Sequence, residues 1–101
     1  MPTALEHEIF SRYLNTPFRI ALGDNTLEVE LNTVSDRQLS PHQERFALVF
    51  RGPIQPLLNQ GIYPFEHDEM GEFSLFIVPV RQDDDSTFYE ACFNRMRTSE
   101  K

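Results

Sequence analysis

Four polar residues in the middle of the chain have the types that could form a chemical site. Arg51, Gln60, Glu66 and His67 supply a cation, an amide, a carboxylate and an imidazole within a short stretch. Such groups bind polar ligands and move protons when folding brings them into one pocket. One interpretation of this stretch is therefore a polar pocket lined by these four side chains.

The alternative interpretation of the same stretch is structural, and we favour it. Pro53 and Pro56 stiffen a long connection between two strands, and Leu57 and Leu58 are expected to close one end of the fold. Gly61 follows this connection directly before the next strand. We predict a positive φ at Gly61, because glycine makes such a sharp re-entry without strain.

Three other groups of residues contain reactive residue types but lack the pattern of a reactive site. The side chains of residues 66–69 alternate between the two faces of a strand, so too few converge on one metal ion. The aspartates of residues 83–85 lack the glycine and closing glutamate of a calcium loop. Cys92 lies between Ala91 and Phe93 in a strand, where cysteine behaves as a small apolar residue. We predict no catalytic residue, no metal and no cofactor.

The composition excludes several kinds of partner. The 101 residues carry 9 Lys and Arg against 16 Asp and Glu, and the resulting charge of −7 opposes binding to nucleic acid. The longest apolar run, residues 75–80, is far too short for a membrane span. Because the first residues show no signal peptide and the chain has one cysteine, we expect a cytoplasmic location.

The first element that must position these groups is a helix. It is predicted over residues 4–15, because Thr3 and Glu6 have the spacing of a capping box. Apolar residues then recur at intervals of three and four. The residues expected to dock on the sheet are Ile9, Tyr13 and either Phe10 or Leu14.

After the helix the apolar period changes to two, which is typical of strands. The predicted strands cover residues 17–22, 26–34, 45–51, 61–67, 72–80 and 87–94, and residues 95–101 form a frayed tail. This pattern predicts a single domain over residues 1–101 with a mainly β fold and one N-terminal helix. The expected architecture is an antiparallel barrel of about six strands or a compact sandwich.

The predicted strand over residues 72–80 is apolar on both faces. Phe76, Val78 and Val80 lie on the face opposite to Leu75 and Ile77. A strand with one wet face alternates apolar and polar residues instead. We expect the N-terminal helix, in preference to a second chain, to cover much of the first set and to leave part of it open for weak contacts. An interaction patch is predicted at Phe76, Val78 and Val80.

The second half of the chain resembles a small bacterial family known as a domain of unknown function. The residues that carry the resemblance are Phe50-Arg51-Gly52-Pro53, Pro56-Leu57-Leu58, Gln60-Gly61, Tyr63, Glu66-His67, Gly71, Leu75-Phe76, Val78-Pro79-Val80 and a closing strand over residues 89–94. The predicted helix and first hairpin match more loosely. The resemblance implies a compact, mainly β protein with no assigned activity and no catalytic residues to carry over.

The sequence leaves three functions open. We favour a non-enzymatic binding or assembly module of a larger complex, with a protein partner or weak self-association, because apolar surface is in surplus and reactive groups are not recognisable. The alternative is a small-ligand carrier, although six strands leave little room inside a barrel. An enzyme comes third, and it requires Arg51, Glu66 and His67 to meet in one pocket.

Overall fold

The computed structural model describes residues 6–96, which form a mainly β fold with one short helix. The elements are α1 (His7–Arg12), β1 (Pro17–Leu22), β2 (Asn25–Val34), β3 (Gln38–Leu39), β4 (Gln43–Pro53), β5 (Gly61–His67), β6 (Gly71–Gln82) and β7 (Ser86–Met96). The predicted fold class is therefore confirmed. The last strand continues to Met96, into the segment that was predicted to fray, and residues 97–101 lie outside the described residues.

Six of the strands close into an antiparallel barrel. Around the barrel β1 pairs with β2, β2 with β4, β4 with β7, β7 with β6, β6 with β5, and β5 with β1. Short turns join β1 to β2, β5 to β6 and β6 to β7, so these strands are neighbours both in sequence and in space. Strand β3 adds a short pairing to the start of β4. Of the two predicted architectures, the barrel is the one that forms.

The interior of the barrel is filled with aromatic and aliphatic side chains. Phe18, Phe50 and Phe65 are at most 1% exposed. The ring of Phe50 contacts those of Phe18 and Phe65 at centroid distances of 5.3 and 5.1 Å. Tyr89 is fully buried, and its hydroxyl oxygen accepts a hydrogen bond of 3.0 Å from the backbone N–H of Leu58. The centre of the barrel is thus packed like a protein core.

Helix α1 fills a gap in the barrel wall. Strands β6 and β7 pair only along residues 78–82 of β6, so their other halves separate. Phe10 of α1 is fully buried, and its ring lies 5.9 Å from that of Phe73 on β6 and 5.6 Å from that of Phe93 on β7. A six-residue helix is unstable alone in water, so these contacts are what hold it.

The helix is shorter than the predicted residues 4–15. It begins after Glu6, whose extended backbone makes it the N-cap and whose side chain forms no capping hydrogen bond. Thr3, the predicted cap, lies outside the described residues. The helix ends at Arg12, and Asn15 adopts a positive φ of 68° that turns the chain toward β1. Docking uses Phe10, with Ile9 and Tyr13 partly buried beside it, whereas Leu14 is 39% exposed.

The connection before β5 departs from prediction at two positions. Gly61 does not have the predicted positive φ, because it is already the first strand residue and pairs with Ile77 of β6. Positive φ occurs instead at Gly23 and Gly71, in the turns before β2 and β6. Of the two leucines expected to close this end, Leu58 is buried and Leu57 is 53% exposed.

Candidate functional site

Arg51 lies on the outer surface of the barrel. It is exposed on β4, and its Nη2 lies 3.6 Å from Oε1 of Glu30 on β2. Both side chains border an open groove of about 450 Å³ that also reaches Asp85 and Ser86. Exposed ion pairs of this kind contribute at most about 1 kcal/mol, so the pair does not organise a site.

Glu66 on β5 is also on the outer surface, and two strands separate it from Arg51. Arg19 on β1 bridges it to Asp68, with N–O distances of 3.4 Å to Glu66 and 2.8 Å to Asp68. Hydrogen bonds to Asp68 and Glu66 raise the pKa of the Arg19 guanidinium. Strands β2 and β1 lie between β4 and β5, which separates Arg51 from Glu66 by roughly 14 Å along the sheet.

His67 points into the protein and holds two turns together. Its Nδ1 accepts hydrogen bonds from the backbone N–H groups of Glu69 and Met70, at 3.0 and 3.2 Å. The proton of the neutral ring is therefore on Nε2, which donates to Oγ1 of Thr16 at 3.0 Å. The Thr16 hydroxyl donates in turn to the carbonyl oxygen of Tyr13 at 2.6 Å. His67 thus links the start of β1 to the turn between β5 and β6.

The surroundings of His67 suit the neutral ring. The residue is 5% exposed, and its ring lies 4.4 Å from that of Phe18 and 4.7 Å from that of Tyr13. Burial lowers the pKa of His67, although the carboxylates of Asp68 and Glu69 oppose this shift. Both ring nitrogens are already hydrogen-bonded, so the ring is committed to structure rather than to proton transfer.

The structure does not bring the four predicted pocket residues together. Arg51 and Glu66 face solvent on different strands, and His67 faces the core. Gln60 is an exposed residue of the connection before β5. An acid–base reaction needs groups within hydrogen-bonding reach of one substrate, and this arrangement does not provide them.

The second predicted site, the patch at Phe76, Val78 and Val80, lies together on the outer surface. Phe76 is 52% exposed, Val80 is 49% exposed and Val78 is half-buried. Strand β5 adds Ile62, which is 72% exposed and pairs directly with Phe76. Leu57 borders a groove of about 270 Å³ together with Val80. These five residues are called the outer apolar patch below.

Helix α1 does not cover the outer apolar patch, so the predicted helix cover is wrong. Its buried residue Phe10 packs on Phe73 and Phe93, which belong to the opposite, inward faces of β6 and β7. The expectation of helix cover failed because periodicity does not show where a helix docks. Ile62 was missed, although Ile62 and Pro64 alternating with Tyr63 and Phe65 make β5 apolar on both faces.

A family model described as a domain of unknown function, DUF6916, matches residues 5–93. The chain belongs to this family. The resemblance found in the sequence is therefore confirmed at the level of the family. No curated protein and no solved structure matches the chain. The match to DUF6916 runs from the segment before α1 to Phe93 on β7, so it includes every residue of the outer apolar patch.

In this member of the DUF6916 family, the described residues include no group of three or more His, Cys, Asp and Glu side chains able to hold a metal ion. Cys92 is exposed on β7. Partial burial raises the pKa of its thiol, and the carboxylate of Glu90 raises it further, which disfavours the nucleophilic thiolate. Within residues 6–96 no helix has the length and apolar character needed to cross a membrane.

Proposed function

We propose that this domain is a non-enzymatic protein-binding module and that the outer apolar patch is its contact surface. The observation that carries the proposal is the pair of Ile62 and Phe76. These two large side chains lie side by side on adjacent strands and are 72% and 52% exposed. Contiguous apolar patches on a soluble domain mark interaction sites.

Strand β2 shows what an ordinary outer surface of this barrel looks like. Strand β2 buries Leu27, Val29 and Leu31 and presents Glu28 and Glu30 outward, as an antiparallel strand with one wet face does. Strands β5 and β6 instead place Ile62 and Phe76 at outward positions. Burying one such side chain stabilises a complex by about 1.5–3 kcal/mol, so Ile62 and Phe76 are suited to anchor an interface.

The two other functions have less support. A carrier needs an interior cavity, and the barrel centre is occupied by Phe18, Phe50, Phe65 and Tyr89. An enzyme at the predicted polar pocket needs groups that instead face different directions. The outer apolar patch needs no rearrangement of the fold to make contact.

Site-specific photo-crosslinking in the source cell tests the proposal. A photoreactive amino acid at Ile62 is expected to capture a discrete protein. The same amino acid at Glu28, which is exposed on β2 away from the patch, serves as the control. Capture at position 62 should disappear in a Phe76→Asp background whose circular dichroism spectrum is unchanged. Equal capture at both positions, or none at position 62, contradicts the proposal.

A further inference from the structure

We infer that the outer apolar patch binds an extended segment of another protein that is apolar in its centre and basic at its flanks. This inference rests on the proposed function, because it names the kind of partner for the same surface. Two observations carry it: the sign of the charges that border the patch, and an open strand edge beside Ile62.

The border of the patch is acidic beside Val78 and toward the start of β6. Glu90 on β7 pairs directly with Val78, and Glu72 is exposed on the same face of β6 as Phe76. Among the described residues, neither carboxylate forms a salt bridge with a cation. A partner that buries Phe76 therefore brings its own charges close to two uncompensated carboxylates, and lysine or arginine is favoured there.

Two cations lie near the patch, and one of them, Arg19, is in ion pairs. Arg19 is held by Glu66 and Asp68 at the far end of β5. The guanidinium carbon of Arg81 lies 3.8 Å from the ring centroid of Phe88, which places its charge over an aromatic face. Arg81 keeps its positive charge beside Val80, so Glu72 and Glu90 are the charges that an incoming segment meets along Phe76 and Val78.

The same charges oppose a second copy of the chain as the occupant. In a two-fold dimer through this patch, the interface would contain Glu72 and Glu90 of both copies, and each copy carries a net charge of −7. Stable interfaces also bury about 800 Å² on each partner, and five side chains form a smaller surface than that. A short segment fits the patch better than a folded copy does.

The unpaired edge of β5 next to the patch is the reason to expect a bound segment in extended conformation. Strands β1 and β5 pair only at Arg19 with Glu66 and at Ile20 with Phe65. The next residue of β5 is Pro64, which has no N–H to donate. Residues 61–63 consequently have no strand partner on the side away from β6, within the part of the chain that the structure describes. An extended segment can pair with this edge and place a side chain against Ile62, whose neighbour on the other side is Phe76.

Fluorescence anisotropy with two labelled peptides tests the inference. Both have a centre of alternating valine and serine, and one is flanked by two lysines at each end where the other has glutamates. The lysine peptide is expected to bind at least about tenfold more tightly, with an advantage that shrinks as the salt concentration rises. Phe76→Ser should abolish binding of the lysine peptide.

Charge-reversal variants separate the local border from the total charge. Glu72→Lys combined with Glu90→Lys should reverse the preference toward the glutamate peptide. Glu28→Lys combined with Asp36→Lys changes the net charge equally, away from the patch, and should leave the preference for lysine in place. Loss of the preference in both double variants would show a total-charge effect and overturn the inference.

Three further outcomes would also overturn it: equal binding of both peptides, no binding of the lysine peptide, and a wild-type dimer in sedimentation that Phe76→Ser converts to monomers. Capture at position 62 together with equal binding of both peptides supports the proposed function. It rejects only the inference that the partner segment is basic at its flanks. Absence of capture together with absence of peptide binding rejects both.

Discussion

The inner and the outer face of strand β6 both carry large apolar side chains, and the two faces differ in how far these are covered. Leu75 and Ile77 point inward and are 5% and 0% exposed, whereas Phe76 and Val80 point outward and are 52% and 49% exposed. Helix α1 does not lie on the outer face, because its buried residue Phe10 packs in the gap between β6 and β7. The outer apolar patch therefore stays exposed although the chain contains a helix that packs on the sheet.

Removing the covering element should have the largest effect on stability. Phe10→Ala leaves a cavity between Phe73 and Phe93 and is expected to lower the free energy of unfolding by about 3–5 kcal/mol. Leu14→Ala, at an exposed position on the same segment, should change it by less than about 1 kcal/mol. Equilibrium urea unfolding followed by circular dichroism measures both. Similar values for the two variants would contradict the docking described for α1.

Neighbouring residues on β6 test the two faces directly. Leu75→Ala should lower the free energy of unfolding by about 2–5 kcal/mol, because a buried side chain is removed. Phe76→Ala should lower it by no more than about 1.5 kcal/mol, because about half of its side chain is already in water. Urea unfolding of the isolated domain is again the measurement. A large loss for Phe76→Ala would mean that the outer face is covered in solution.

Two glycines extend the comparison to backbone positions. A Cβ on Gly52 would lie 2.9 Å from Cγ1 of Val29, so Gly52→Ala should destabilise the inside of the barrel by about 1–3 kcal/mol. Gly61, beside the outer apolar patch, offers an ordinary contact of 3.7 Å. Gly61→Ala should be neutral or stabilising by up to about 1 kcal/mol. Thermal unfolding compares them, and a Val29→Ala background that fails to relieve Gly52→Ala would refute the clash.

The smallest expected effect is a pH dependence that comes from His67. Burial lowers the pKa of His67 in the folded state, so the unfolded state binds more protons as the pH falls below the ordinary value of 6.5. The contribution of His67 is therefore present above pH 6.5 and is lost as the pH falls through the folded pKa. Asp68 and Glu69 oppose the shift, which keeps the effect small.

Urea unfolding at a series of pH values between about 7.5 and 5.5 measures this dependence. His67→Gln should flatten the slope, whereas His42→Gln, at an exposed position outside the barrel, should retain it. An unchanged slope in His67→Gln would show that another group is responsible.

Much of the fold could be predicted because the signals are local. Alternation at Leu27, Val29 and Leu31 requires only that one face be buried, and the turns at Gly23 and Gly71 join strands that are already neighbours. The end of α1 was not predictable in the same way. Asn15 adopts a positive φ because its backbone N–H reaches the carbonyl oxygen of Leu31 at 2.7 Å, a contact between distant parts of the chain.

The candidate sites show the same limit. The apolar residues Phe76, Val78 and Val80 could be identified because a strand without polar alternation leaves a face to be covered. The grouping of Arg51 with His67 failed because closeness in sequence does not show which side of a barrel a strand occupies. The structural role of His67 depends on its hydrogen bond with Thr16, which lies 51 residues earlier in the chain.

The uneven pairing of the strands has a consequence for how the barrel opens. Residue pairs join β4 to β7 along the whole of β4, from Gln43 to Pro53, whereas two pairs join β1 to β5. Native-state fluctuations break the least connected parts of a structure first, so transient opening should begin between β1 and β5. Amide protons in β1 should then exchange with solvent sooner than those in β4. Each such opening also lengthens the unpaired edge of β5 next to Ile62, which couples the breathing of the barrel to the surface where a partner strand would join.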